Sequence, residues 1–288
     1  MAMNVTISQR IFGNKSMPLE VILGSELHYG RLESDHLEVG ERDENEIIVY
    51  DPGCIGRGFS VEWNPDEKKK LKLRLPMPAP EKEIRQFYSA VARMTEYWKA
   101  KLNVDDEATT LSAFMQGLEE MIRFNEKLVR NFAQEVLDGK HEKLMLWSAM
   151  WPLEFGGDEA QRFLETTAAF GEWLHEKQSM DVCHAPVQMY RGESGPMGLF
   201  FCMDECPTVY PDQPTVPFGL IDENTGKPLV CNDWRVALML QNEEDAIGQI
   251  AFNDFVKKLD SKRISRYDAG HFLMQPLTES EMRALLEA

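Results

Sequence analysis

"GFSVEWNPDEKKKLKLRLPMPAPEKEIRQFYSAVARMTEYWKAKL", residues 58–102, changes its hydrophobic period part-way through, and that change decides the fold class. In the first part, Phe59, Val61 and Trp63 alternate with polar residues. Beyond the polar turn "NPDEKKK", Leu71, Leu73 and Leu75 do the same. Alternation at period two puts each set on one face of a strand, so the two arms read as a hairpin. From Glu81 onward, Ile84, Phe87, Tyr88, Val91, Met94, Trp98 and Leu102 recur at three- and four-residue steps, the spacing of one helix face. Pro80 stands where a first-turn proline belongs.

Working outward, the upstream segments keep strand character. "NVTISQ" alternates, and "NEIIVYDPG" reads as a strand stopped at Asp51-Pro52-Gly53. "PLEVILGS" after Ser16 reads as a short capped helix with Pro18 in its first turn. Downstream, a second helix is expected from Thr110 to Leu137, with Gly139 as its stop, and a third from Asp158 to Lys177. "LMLWSAMWPLEF" between them reads as a short helix broken at Pro152. After Gln178, strand candidates return: "PVQMYR", "MGLFFCM", "FGLID", "KPLVC", "WRVALML" and "AIGQIAF", with "DENTGK" as a hairpin turn. "NDFVKKL" is briefly helical, and Thr278 and Glu281 form the T-x-x-E box that starts a final helix. The expected class is α+β. A β-rich N-terminal region (1–78) leads to a central bundle of three long helices (79–178). A mostly antiparallel strand-rich region (179–288) then ends in a helix, the three forming separate parts or one compact unit.

With 288 residues, 43% of them apolar, the chain can bury a substantial core. Its net charge is −17 and unevenly spread. Residues 1–144 hold 20 basic and 25 acidic side chains (−5), and residues 145–288 hold 11 and 23 (−12). An acidic C-terminal half repels phosphate backbones, which disfavours nucleic acid as a partner and favours a protein with a basic surface. The one basic run, Glu67–Arg74, alternates with Leu and reads as the solvated face of a hairpin. No apolar run approaches the length of a membrane span, the N-terminus lacks a signal-peptide pattern, and five cysteines form no disulfide framework. The expected location is the cytoplasm, with reduced thiols; the oligomeric state is not legible.

"GLFFCMDECPTV" (Gly198–Val209) raises the question of a metal, because Cys183 and His184 lie shortly upstream. As a continuous strand the segment holds Cys202 and Cys206 about 13 Å apart, too far for one ion. As a three-residue loop it brings them face to face, but two further ligands are then needed. Cys183 and His184 are adjacent and point to opposite strand faces, which also argues against a catalytic dyad. No metal and no cofactor is expected, with Cys202 and Cys206 the only metal candidates; strand directions are expected to hold thiols and imidazoles apart. Glu172 and His175 stand as E-x-x-H on the third helix, without the second copy a di-iron bundle requires. Asp268 and His271 can pair as base and orienter, but no nucleophile is recognisable beside them, and a turn stabilised by Asp268 explains them as well. The proline-punctuated "CPTVYPDQPTVPFG" reads as a crossover between strands, with a functional loop as the alternative.

The glycine-rich "GCIGRG" (Gly53–Gly58) follows a strand but precedes another strand, so the helix N-terminus of a phosphate loop is lacking. "VGERDENEIIVYDPGCIGRGFSV" resembles the core of forkhead-associated phosphothreonine-binding domains, with Arg57 at the matching arginine. It departs from that pattern where Glu41 splits Gly40 from Arg42, and where Gly56 and Phe59 replace a Ser and a His. The alternative is a glycine-supported tight turn. Across the whole chain, "LHYGRL", "NEIIVYDPGCIGRGFSVEWNPDEKKKLKLRLPMP", "VYPDQPTVPFGLIDENTGKPL" and "YDAGHFLMQPLTESEM" look like an uncharacterised bacterial family known only as a numbered domain of unknown function. That resemblance implies a bacterial cytoplasmic protein of about this length and supplies no catalytic residues.

No motif names a reaction. The expectation is a non-catalytic interaction or regulatory protein. The alternative is a hydrolase-like enzyme whose site assembles from His28, His184, His271, Asp222, Asp233 and Cys206.

Overall fold

Alternation at period two becomes, in the computed structural model, a strand of 70–76 whose leucines are sealed from solvent while Lys70, Lys72 and Arg74 face it. The structure describes all residues except 11–12, 34–35, 44, 65, 67, 186, 193–194, 218, 223–224, 244 and 288. The expected turns "NPDEKKK" and "DENTGK" therefore lie partly outside the described residues. The chain forms two compact units, Met1–Ser179 and Met180–Ala288.

The first unit contains β1 (Ala2–Ser8), α1 (Leu19–Leu23), β2 (His28–Glu33), β3 (His36–Val39), β4 (Ile47–Tyr50), β5 (Phe59–Glu62), β6 (Lys70–Pro76) and α2 (Glu81–Trp98). It continues with β7 (Lys101–Val104), β8 (Glu107–Thr109), α3 (Leu111–Gln116), α4 (Leu118–Leu137), β9 (Leu144–Trp147), β10 (Pro152–Phe155), α5 (Gly157–Glu165) and α6 (Ala168–Gln178). Eight antiparallel strands form one sheet in the order β3-β2-β4-β5-β6-β1-β7-β8. Its inner face meets α2 through Ile84, Phe87, Val91 and Met94, each fully buried, and Phe59 packs edge-to-face on Phe87 at 5.3 Å.

Several helix boundaries differ from the periodic reading. The first long helix ends at Trp98, where Lys99 turns left-handed (φ 48°), and Leu102 buries itself from β7 opposite Ile7 instead. The second breaks at Gly117 into α3 and α4. Its far end closes as expected, with Gly139 at φ 71° donating to Val136 O and Lys140 donating to Glu135 O, the paired bonds of a Schellman stop. The third breaks at Thr166, extended at φ −148°, into α5 and α6. Residues 144–155 form the β9–β10 hairpin rather than a broken helix. Leu146, Leu153 and Phe155 point inward while Met145 and Trp147 face out, a period-two pattern, and Pro152 opens its strand where a missing donor costs least.

The second unit contains β11 (Cys183–His184), β12 (Val187–Gly192), β13 (Gly195–Met203), β14 (Thr208–Pro211), β15 (Asp233–Met239), β16 (Ala246–Ala251), α7 (Phe252–Lys258), a 3-10 turn (Ser261–Arg263), β17 (Ile264–Arg266), β18 (His271–Met274) and α8 (Glu279–Leu286). One sheet runs β12-β13-β15-β16, with β13 and β15 parallel. The other runs β11-β14-β18-β17, with β11 and β14 parallel. Phe200, Tyr210, Phe252, Phe255 and Phe272 share the core between their layers. The expected strands "FGLID" and "KPLVC" are reduced to a single bridge between Ile221 and Pro228, and "AIGQIAF" hands over to α7 at Phe252. The expected box caps α8: Thr278 Oγ1 accepts from Glu281 N, and Thr278 N donates to Glu281 Oε2 at 2.8 Å. With helices and antiparallel strands segregated along the chain, the class is α+β.

Candidate functional site

The sheet β11-β14-β18-β17 sorts the candidate residues by face. Paired residues project to the same side of a sheet. Because His184 pairs with Val209, Val209 with Leu273, and Pro211 with His271, both imidazoles lie on one face. Cys183 pairs with Thr208, so it lies on the other face with Tyr210 and Met274. The adjacent Cys183 and His184 therefore do point apart.

On the imidazole face, Asp268 sits fully buried in the β17–β18 turn. Its Oδ1 accepts from Gly270 N at 2.8 Å and lies 2.8 Å from His271 Nδ1. Nδ1 thus carries the proton toward the carboxylate, which leaves Nε2 of a neutral His271 as an acceptor. The two residues expected to pair are thus in contact, and Asp268 also stabilises its own turn, as the alternative reading has it. His184 packs edge-on against buried Tyr267 at 5.4 Å between centroids. Burial, assisted by His271, lowers its pKa to about 3, so it stays neutral under ordinary conditions.

On the opposite face, β13 stops at Met203, and the chain turns through Asp204 and Glu205, the latter at φ 54°. The turn returns Cys206 to the start of β14. Cys206 Sγ lies 3.7 Å from Pro207 O, and the same oxygen accepts from Cys183 N at 2.9 Å. The two thiols are neighbours. Burial and the Cys206 thiol push Cys183 up to about 11, and burial does the same to Cys202 beside the Tyr210 phenol. The Tyr210 hydroxyl donates to Phe201 O at 2.9 Å and is itself held well above its usual range by burial. The expectation that strand directions hold every thiol apart fails here, because β11 and β14 run parallel and the turn bends Cys206 back toward the join. All five thiols are free, and among the described residues no group of three or more His, Cys, Asp or Glu is placed to hold a metal ion.

The remaining pool members do not join this sheet. His28 opens β2 in the first unit, exposed and edge-on to Tyr50. Asp222 closes a turn by accepting from Gly226 N at 2.8 Å, and Asp233 ion-pairs with Arg235 at 3.1 Å.

The first unit holds a second cluster that sequence reasoning missed, around the loop 51–58. Glu83, in the first turn of α2, is fully buried and accepts from Gly58 N at 3.0 Å, while its Oε1 has no partner. Burial raises its carboxyl to about 7, against the pull of Arg57. Arg57 donates to Trp147 O at 2.8 Å and Pro78 O at 3.3 Å, and burial lowers it to about 10. The Arg57 guanidinium thus donates to two backbone carbonyls and feels the charge of the Glu83 carboxyl, a set of internal partners that the forkhead-associated look-alike does not imply. His175 of the E-x-x-H pair accepts from Ile55 N at 3.1 Å, and Gln178 Nε2 donates to Gly56 O at 2.8 Å. A Cβ on Gly56 falls 2.1 Å from Glu83 Oε2, so the glycine is there for closeness. Asp51 is raised by burial, but bonds from Lys82, Gln86 and Gly53 outweigh this and leave it below the usual range. The one signal for this cluster in the sequence is an acidic residue directly before the first core position of α2.

The geometry thus defines an α+β protein with two buried polar clusters whose groups are largely satisfied internally. The family model for a domain of unknown function, DUF4299, matches residues 2–285, so the chain belongs to that family. No curated protein and no solved structure matches it. No helix among the described residues is long and apolar enough to cross a membrane.

Proposed function

We propose that this is a non-catalytic interaction or regulatory protein of the bacterial cytoplasm, whose second unit receives a protein partner with a basic surface. The observation that carries the reading is the acidic rim where the parallel strands β13 and β15 end. Exposed Glu205 follows the end of β13 and exposed Glu243 and Asp245 follow the end of β15, while Asp204 ties the two strand ends together by accepting from Gln241 N at 2.7 Å. Met203, 43% exposed, supplies an apolar contact beside them. The unit as a whole carries 17 acidic and 9 basic residues. Charge of one sign at a protruding edge favours encounter with the opposite sign and weakens with salt. The thiols also support a non-catalytic role, because every shifted one, Cys54, Cys183 and Cys202, is shifted upward, away from the nucleophilic thiolate.

The test is affinity purification of the tagged full chain from its own host at low and high salt. A basic protein is expected at low salt and is lost both at high salt and in the triple variant Glu205→Lys, Glu243→Lys, Asp245→Lys. Retention of the same partners by that variant overturns the reading. A second reading, a hydrolase-like enzyme, draws on the 2.8 Å Asp268–His271 pair. It requires an ester- or amide-hydrolysing activity that His271→Ala abolishes without unfolding the chain.

A further inference from the structure

We propose that Cys183 and Cys206 are a redox modification site, closing to a reversible disulfide that staples β11 to β14. Three observations converge on it. Cys183 N and Cys206 Sγ both approach the Pro207 carbonyl oxygen, at 2.9 and 3.7 Å, which places the two residues side by side across the β11–β14 join. Cys183 is exposed and Cys206 half-buried, so an oxidant reaches the pair from solvent. The strand being stapled has only two residues at the edge of its sheet, and its backbone bonds to β14 include Cys183 N to Pro207 O and Ala185 N to Val209 O at 3.0 Å. A covalent tie matters most where the noncovalent tie is that slight. Cys202 lies close by but is fully buried among Phe200, Tyr210 and Leu238, where packing resists the rotation a disulfide geometry requires.

The oxidant class is a low-molecular-weight disulfide. The Cys183 thiolate attacks one of its sulfurs, forming a mixed disulfide and expelling a thiolate that takes up a proton. The Cys206 thiolate then attacks the Cys183 sulfur and expels the second small thiol. The protein loses two protons and two electrons, and the reagent's S–S bond is reduced to two thiols. The thiol held at about 11 makes the step slow at neutral pH and about tenfold faster for each pH unit as the thiolate fraction grows.

The experiment treats the full chain with oxidised glutathione at pH 8 and pH 9. Free thiols are then counted under denaturing conditions, and the linkage is mapped by peptide mass spectrometry. The expected result is loss of two of the five free thiols, a protein mass lower by two hydrogens, a 183–206 cross-linked peptide, and full reversal by dithiothreitol. Cys183→Ser and Cys206→Ser each retain a glutathione adduct on the remaining sulfur instead of closing. Cys183 is exposed, so its serine variant folds and keeps the comparison valid. Five persisting thiols, a stable glutathione adduct on the unaltered chain, or a cross-link from Cys206 to Cys202 overturns the proposal.

Discussion

Glu83→Gln is expected to make the first unit more stable at alkaline pH while leaving it nearly unchanged at acid pH. Glu83 is fully buried on the first turn of α2, and its carboxyl stands at about 7 against an unfolded value near 4.5. The folded state therefore resists ionisation. Stability is fully present below about pH 4.5 and is lost as pH rises through about 7. A shift of that size is worth about 3 kcal/mol between the two plateaus. Glutamine keeps the shape and still accepts the Gly58 amide through its carbonyl oxygen, but carries no charge to bury. The variant minus wild-type difference in unfolding free energy should be near zero at pH 3.5, about 1 kcal/mol at pH 5, and approach about 3 kcal/mol at pH 8.5. The loss of attraction to Arg57 is already contained in that carboxyl value, because Arg57 is one of the causes that hold it down.

Urea titration followed by tryptophan fluorescence reads the right unit, since Trp63, Trp98, Trp147, Trp151 and Trp173 lie in Met1–Ser179 and Trp234 alone lies beyond it. A difference that is flat with pH refutes the reasoning, as does a variant less stable than wild type at pH 8.5. Either result means that Glu83 is ionised and paired throughout.

Two further substitutions probe the same physics elsewhere. Gly56→Ala places a methyl 2.1 Å from Glu83 Oε2 and 2.8 Å from Pro80 Cγ, and should cost the first unit about 1–3 kcal/mol by overpacking, seen as a lower urea midpoint at unchanged slope. His184, lowered by burial to about 3 from 6.5, stays neutral in the folded chain while the unfolded chain binds its proton. Stability of the second unit should therefore fall by up to about 3 kcal/mol between pH 6.5 and pH 4, and His184→Gln should flatten that slope in circular-dichroism melts.

What the sequence made legible follows the range of the signal. The alternation in β5 and β6, the apolar stripe of α2, the Gly139 stop and the Thr278 box are all local, and each appears where its spacing places it. The interruptions at Gly117 and Thr166 were hidden because an apolar stripe can continue across a break when both helices turn the same face to one core. The short strands β11, β14, β17 and β18 were missed because two to four residues carry too little period to be distinguished from loop. At the candidate sites, the Asp268–His271 pair was visible because only two residues separate its members. The Cys183–Cys206 and Arg57–Glu83 neighbourhoods depend on strand pairing and on a loop folding over a helix end. Nothing local encodes those.

The division of labour across β14 also bears on what chemistry the second unit can support. Its strand order places the imidazole of His271 on one face and the thiol of Cys183 on the other, so the paired strands stand between those two groups. A His-activated cysteine needs the two within hydrogen-bond reach, and no side-chain rotation carries a group through a paired strand. Neighbouring carboxylates act in the same direction, because Asp181 near Cys183 and Asp204 near Cys202 disfavour the thiolate. A thiol raised as Cys183 is makes a poor nucleophile toward a carbonyl at neutral pH, yet beside a second thiol it can still exchange slowly with a disulfide, since the second attack is intramolecular. On the proposed reading, a slow, reversible staple on the first strand of the second unit would serve regulation, and it needs no assembled active site to operate.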